Sequence, residues 1–136
     1  MRLEEISVGQ TAEFAKTITE ADVTLFAGVT GDFNPVHIDE VAASKSRFGG
    51  RIAHGMLSAG LISAVIANRL PGAGTIYLSQ TLRFTAPVRI GDTVTASVRV
   101  LEIMPRMRVR LATICRNQSG ATVLEGEAVV LLPETE

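Results

Sequence analysis

The most constraining feature of this chain is HGMLSAGLISAVIANRL, residues 54 to 70. It carries no Lys, Arg, Asp or Glu before Arg69. The pattern predicts a helix about 25 Å long at a rise of roughly 1.5 Å per residue. A helix this apolar all round is expected to be buried on most sides. Its Ser58, Ala59, Gly60, Ser63, Ala64 and Ala67 are small enough to let other backbone pack closely. The segment is slightly short for a membrane span and dense in Ser, Gly and Ala, so a buried core helix is the better reading. Pro71 and Gly72 end it.

That helix needs a cover, and the second half of the chain supplies one. Apolar residues alternate in TIYLSQTLRFT (Ile76, Leu78, Leu82, Phe84) and in DTVTASVRVLE (Val94, Ala96, Val98, Val100). RMRVRLATICR (Met107, Val109, Leu111, Cys115) and ATVLEGEAVVLL (Leu124, Ala128, Val130, Leu132) repeat the pattern. A period of two marks strands with one buried side. QTAEFAKTI, residues 10 to 18, adds a first strand. Pro105 and the stretch 117–120 suit hairpin connections. The expected fold is α+β: an antiparallel sheet of about five strands, one face on the helix, in a single domain spanning 1–136. An uncovered sheet edge would be protected by pairing with a second subunit.

Composition removes several function classes. Net charge is −1 over 136 residues, which provides no field for nucleic acid or an anionic membrane. With no Trp and one Tyr, a base-stacking surface is poorly supplied. One cysteine, Cys115, excludes an internal disulfide framework and a cysteine-rich zinc site. It shares a strand face with Val109 and Leu111 and reads as a buried, inert thiol. The start, MRLEEISVGQ, lacks a signal peptide's apolar run. A cytoplasmic protein is expected.

The polar chemistry is concentrated in TGDFNPVHIDE, residues 30 to 40. Thr19 is a plausible N-cap for the preceding helix, with Asp22 in its first turn and Gly31 as a left-handed terminator. Val23, Phe26, Ala27 and Thr30 share its inner face. Asp39 is placed to cap a further helix, EVAASKSRF, ending at Gly49-Gly50. On a continuous helix Asp32 and His37 would point about 140° apart. Pro35 biases Asn34 towards extended backbone, so a kinked loop is able to bring both side chains to one side. A carboxylate and an imidazole so placed hold one water between them, and the imidazole exchanges protons near neutral pH. Asn34 adds a group to orient water or substrate.

Three readings of the cluster stay open: a turn, a proton-transfer pair, and a metal site. Asp32, His37, Asp39 and His54 would supply the metal ligands, but neither histidine lies in an H-x-x-x-H pattern. Free N–H groups at the start of the apolar helix can bind developing negative charge, and Gly55 lets an acyl group approach. His54 itself reads as a structural or capping residue. GMLSAG does not match the G-x-S-x-G elbow, so Ser58 is not a nucleophile. Arg106, Arg108 and Arg110 alternate, either on a solvated strand face or towards nucleotide phosphates.

DFNPVHID followed by RIAHGMLSAGL, with GAGTIYLSQTLRFTAPVRIGDTVTA beyond, resembles the R-specific enoyl-CoA hydratases, the MaoC-like hydratases of the hotdog fold. The resemblance covers nearly the whole chain. It implies addition of water to trans-2-enoyl-CoA to give R-3-hydroxyacyl-CoA, in a homodimer whose two sheets join edge to edge. It assigns catalysis to Asp32 and His37, supporting roles to Asn34 and Ser63, and contact with the thioester oxygen to the Gly55 amide. No metal or redox cofactor is implied, since CoA is part of the substrate. A hotdog thioesterase, a carrier-protein dehydratase and a non-catalytic acyl-CoA-binding protein are the alternatives. Acyl-chain length is left open, as is the pathway: polyhydroxyalkanoate supply, fatty-acid breakdown or another CoA route.

Overall fold

The structure, a computed structural model, describes residues 1–134. After a short turn of 3-10 helix at Leu3–Glu5, the chain forms β1 (Thr11–Thr17) and α1 (Glu20–Thr30). Two brief helices follow, α2 (Pro35–Ile38) and α3 (Glu40–Ser44), and then the central helix α4 (Gly55–Asn68). The remaining strands are β2 (Ile76–Gln80), β3 (Arg83–Phe84), β4 (Thr93–Met104), β5 (Arg108–Arg116) and β6 (Thr122–Leu131). The sheet is antiparallel in the order β1-β4-β5-β6-β2, with β3 also on β6.

The alternation expected for β4, β5 and β6 builds the core. Val94, Ala96, Val98 and Val100 are at most 1% exposed, and Val109, Leu111, Cys115, Leu124, Ala128 and Val130 are fully buried. The register sets Ala96 opposite Cys115, Val100 opposite Leu111, and Leu111 opposite Ala128. Against this face α4 lays Leu57, Leu61, Ile62, Val65 and Ile66. Each fully buried Leu, Ile or Val contributes about 1.5–3 kcal/mol relative to exposure.

Four expectations need correction. First, TIYLSQTLRFT is two strands rather than one, which brings the expected sheet of about five strands to six. At the break between them Gln80 turns inward and donates to Thr113 Oγ1 at 2.9 Å, Leu82 packs against the core, and the Thr81 amide donates to Glu127 O at 2.8 Å. Second, the alternation in β2 and β3 does not bury a face within one chain: Ile76, Leu78 and Phe84 are 53%, 44% and 52% exposed. Third, α4 is covered on one side only, and Met56, Gly60, Ser63 and Ala67 form an open face. Fourth, α3 ends at Ser44 rather than continuing to residue 48, closed by Lys45 and Ser46 amides bonding back to Ala42 and Ala43 carbonyls.

Arg106 and Met107 lie in the β4–β5 turn at positive φ, not on the strand. Arg110 pairs with Glu102 and Glu127 at 3.1 Å, so this is an ion-paired surface face rather than a phosphate site. No helix among the described residues is long and apolar enough to cross a membrane.

Candidate active site

The conformation of the segment from α1 to α4 follows from local polar chemistry. Thr19 and Asp22 form a reciprocal capping box that starts α1. The Asp22 carboxyl is held below its ordinary range by the Thr19 amide, and then by Lys16. Gly31 ends α1 at φ 82, where a side chain would be strained, and its amide donates to Ala27 O at 2.8 Å. The chain leaves the helix there, with Asp32 next.

Asp32 and His37 are brought together by one further turn of helix. Asn34 Oδ1 accepts from the Val36 amide at 3.2 Å, and Pro35 occupies the first helical position of α2. The side-chain oxygen of Asn34 is therefore engaged in capping α2, and Asn34 does not line the cavity described below. His37 lies one turn on. Its Nδ1–H donates to Ile52 O at 2.8 Å, which leaves Nε2 to exchange protons. Ile52 is itself fixed, its amide donating to Val36 O while its neighbour Ala53 donates to Val88 O. Arg51, which sequence reasoning missed, donates from Nε to His37 O at 2.6 Å and reaches Glu20 on α1 at 2.8 Å. No local pattern marks Arg51, because its partners lie 14 and 31 residues away.

His54 ends the approach to α4. Its Nε2–H donates to Asp32 O at 3.0 Å, and its ring stacks on His37 at 3.9 Å between centroids, inclined by 28°. One carboxylate oxygen of Asp32 and one nitrogen from each histidine lie within 4.8 Å of one another. Two hydrogen bonds of roughly 2.8 Å span such a gap through one water. The arrangement suits a metal poorly. Imidazoles bind metals in the ring plane at about 2.1 Å, and lone pairs of stacked rings this nearly parallel do not converge at that distance. Asp39, the fourth candidate ligand, instead caps α3, accepting from the Ala42 amide at 3.2 Å.

These groups open into a cavity of about 590 Å³. Asp32, His37, His54, Gly55 and Ser58 form its polar side, and Ile52, Met56, Phe84, Val88, Val123 and Leu124 its apolar side. Arg47 and Phe48 also line it. No side chain caps the N-terminus of α4, and its first residue, Gly55, lines the cavity with an amide that no capping side chain occupies. A Cβ on Gly55 would lie 2.6 Å from Phe84 Cε1, so any side chain here must displace the Phe84 ring. Phe84 was anticipated only as a strand residue. Ser63 does not line the cavity and sits on the open face of α4. Cys115 is buried against Ser58 O, and burial pushes its thiol up to about 12, consistent with an inert role.

The known proteins that this chain is similar to include CoA hydratases and dehydratases and, at 37% identity, an acyl-carrier-protein dehydratase of Solanum lycopersicum. The (R)-specific enoyl-CoA hydratase of Rhodospirillum rubrum is 54% identical over 131 residues, covering 96% of this chain and 90% of that protein. The 3-hydroxybutyryl-CoA dehydratase of Methylorubrum extorquens is 52% identical, covering 98% and 85%. The unliganded R-hydratase of Pseudomonas aeruginosa superposes with a TM-score of 0.93 at 55% identity, covering 97% of this chain and 85% of that one. The fold is thus the hotdog fold of these hydratases. The MaoC-like domain matches residues 4–119, and with it the chain belongs to the MaoC-like family.

Proposed function

We propose that this chain is an R-specific enoyl-CoA hydratase, adding water to trans-2-enoyl-CoA to give R-3-hydroxyacyl-CoA. The observation that carries the reading is one cavity holding the Asp32–His37 pair beside an uncapped helix start at Gly55. The substrate's thioester makes C3 electrophilic. A water between Asp32 and His37 loses a proton to the pair as its oxygen bonds to C3. The alkene electrons move towards the thioester oxygen, which gathers negative charge as an enolate. Amide N–H groups at Gly55 meet that charge where it develops. The enolate collapses and C2 takes a proton from the pair, so that water is added in full. Asn34 holds His37 at its place on α2, and Ser63 takes no step in this scheme. The scheme uses no metal or redox cofactor, and a chelator is expected to leave the rate unchanged.

A second copy of the chain completes this reading. Ile76, Leu78 and Phe84 expose an apolar edge, and edge strands left open invite pairing. A homodimer joined along β2 would cover it. Sedimentation equilibrium at micromolar concentration would sink the dimer by returning a monomer mass. The single buried thiol suits a reducing, cytoplasmic setting.

The direct test of the activity is incubation with crotonyl-CoA. Loss of enoyl absorbance with R-3-hydroxybutyryl-CoA as product is expected. Release of free CoA thiol without hydration would instead favour a thioesterase, and binding without turnover a non-catalytic acyl-CoA-binding protein.

A further inference from the structure

His54 moves no proton in the scheme above, yet it is only 2% exposed. Burying an imidazole is costly unless its nitrogens are partnered. Nε2–H is partnered by Asp32 O at 3.0 Å, across 22 residues of chain. Nδ1 has no partner among the described residues. The ring lies between Phe26, at 4.7 Å and 48°, and His37, at 3.9 Å and 28°. A phenyl ring would fill this slot without burying an unpartnered nitrogen. What imidazole adds over phenyl is the single bond to the backbone of Asp32.

That bond matters because Asp32 is otherwise loosely held. It is exposed, and it follows the left-handed turn at Gly31. Its amide donates to Thr30 Oγ1 at 3.2 Å, and its carboxylate accepts from the Asn34 amide at 3.3 Å. Thr30 is the last residue of α1 and Asn34 lies in the same loop, so both bonds are local, spanning two residues of chain, and neither reaches the head of α4. The bond from His54 does.

We infer that His54 is a positioning residue, holding Asp32 through Nε2–H and His37 through its stacked face, so that one ring sets the separation of the pair. The inference rests on the hydratase reading. It assigns His54 a role in geometry, exercised through Asp32 and His37.

The test compares His54→Phe, which keeps a stacking ring but loses the donor, with His54→Gln, whose amide N–H reaches close to the position of Nε2. Displacing a catalytic group by about 1 Å costs on the order of 100-fold in rate, so the Phe variant should lose about that in kcat with KM within about threefold. The Gln variant should recover at least about tenfold of the loss, since it restores the bond but not the ring. Unchanged kcat in the Phe variant, a loss confined to KM, or a Gln variant no better than Phe would overturn the inference. Should neither variant fold, nitrogen-15 NMR of the wild-type imidazoles decides: a His54 proton on Nε2 supports it, and one on Nδ1 alone overturns it. A wild-type protein that leaves crotonyl-CoA unhydrated would remove the hydratase reading instead, while the NMR measurement would still report on the bond to Asp32.

Discussion

The α4–sheet core and the segment from residue 31 to 54 are built by opposite means. In the core, Ile62, Val65, Val94, Leu111 and Val130 are fully buried, and apolar burial does the holding. In the segment, Phe33, Ile38 and Val41 are 57%, 41% and 69% exposed, and polar bonds do it. Those bonds are the caps from Asn34 and Asp39, His37 to Ile52 O, Arg51 to His37 O and Glu20, and His54 to Asp32 O. Apolar burial is non-directional and tolerates small shifts, whereas hydrogen bonds fix angles and distances. A scaffold needs the first property and a site for proton transfer needs the second. The two regions should therefore separate under mutation, one governing stability and the other rate.

The largest expected effect is on rate. Asp32→Asn keeps size and hydrogen-bonding capacity but removes the base. Hydration of crotonyl-CoA should fall about 10²–10⁴-fold, the range for a positioned general acid or base. Unfolding free energy should stay within about 0.5 kcal/mol of wild type, as for an exposed position. Steady-state kinetics beside a urea titration reads both. Full activity in this variant would remove Asp32 from the mechanism.

The converse is Leu111→Ala, at the centre of β5 between Val100 and Ala128. It should destabilise the chain by about 2–5 kcal/mol, the transfer loss plus the cavity left behind. The rate per folded molecule should not change. A Leu111→Ala protein as stable as wild type but slower would break the division between the regions.

The sequence disclosed these regions unequally, for physical reasons. β4, β5 and β6 were legible because a buried face repeats every second residue. The ends of α1 were legible because Thr19, Asp22 and Gly31 act on backbone within three or four residues. The break between β2 and β3 was not: Gln80 keeps the spacing of the alternation, yet its partner is Thr113, 33 residues on. Nor was the open face of α4: lack of charge says that a helix is apolar, not which side the chain covers. The pairing of Asp32 with His37 was inferable from Pro35 and the short spacing between them. Asn34 was expected to orient water or substrate, and its oxygen is instead engaged by Val36. The bond from His54 to Asp32 gave no signal, because one histidine before a glycine does not announce a partner 22 residues back.

A smaller effect is expected where the two regions touch. In Gly55→Ala the new methyl carbon would sit 2.6 and 2.7 Å from Phe84 Cε1 and Cδ1. The atoms met belong to a side chain, which is able to rotate, and not to backbone. The stability cost should therefore lie at the low end of overpacking, about 1 kcal/mol. Adding Phe84→Ala should remove that cost, because the methyl then meets no ring. A urea series over the two single variants and the double variant measures the coupling, and additive costs would show that the contact is not the reason for glycine.

The smallest effect belongs to Asp22, at the start of the helix that joins the regions. Its carboxyl accepts from the Thr19 amide at 2.9 Å and pairs with Lys16 at 2.9 Å, and the first of these does most to depress its pKa. A depressed carboxyl stabilises the fold above its unfolded pKa, and that contribution disappears as pH falls through the lower folded value. Asp22→Asn keeps an oxygen acceptor and removes the charge, which at a helix start is worth about 0.3–1 kcal/mol. Wild type should therefore exceed the variant by that amount at pH 7, and the gap should close below about pH 4, near the ordinary aspartate range. Thermal melts at a series of pH values would show it. A gap that persists unchanged at pH 2 would mean that the hydrogen-bond geometry, and not the charge, was lost. The hydration rate at pH 7 should be equal in the two proteins, because Asp22 supports where α1 begins, while Gly31 and His54, at the other end, place Asp32.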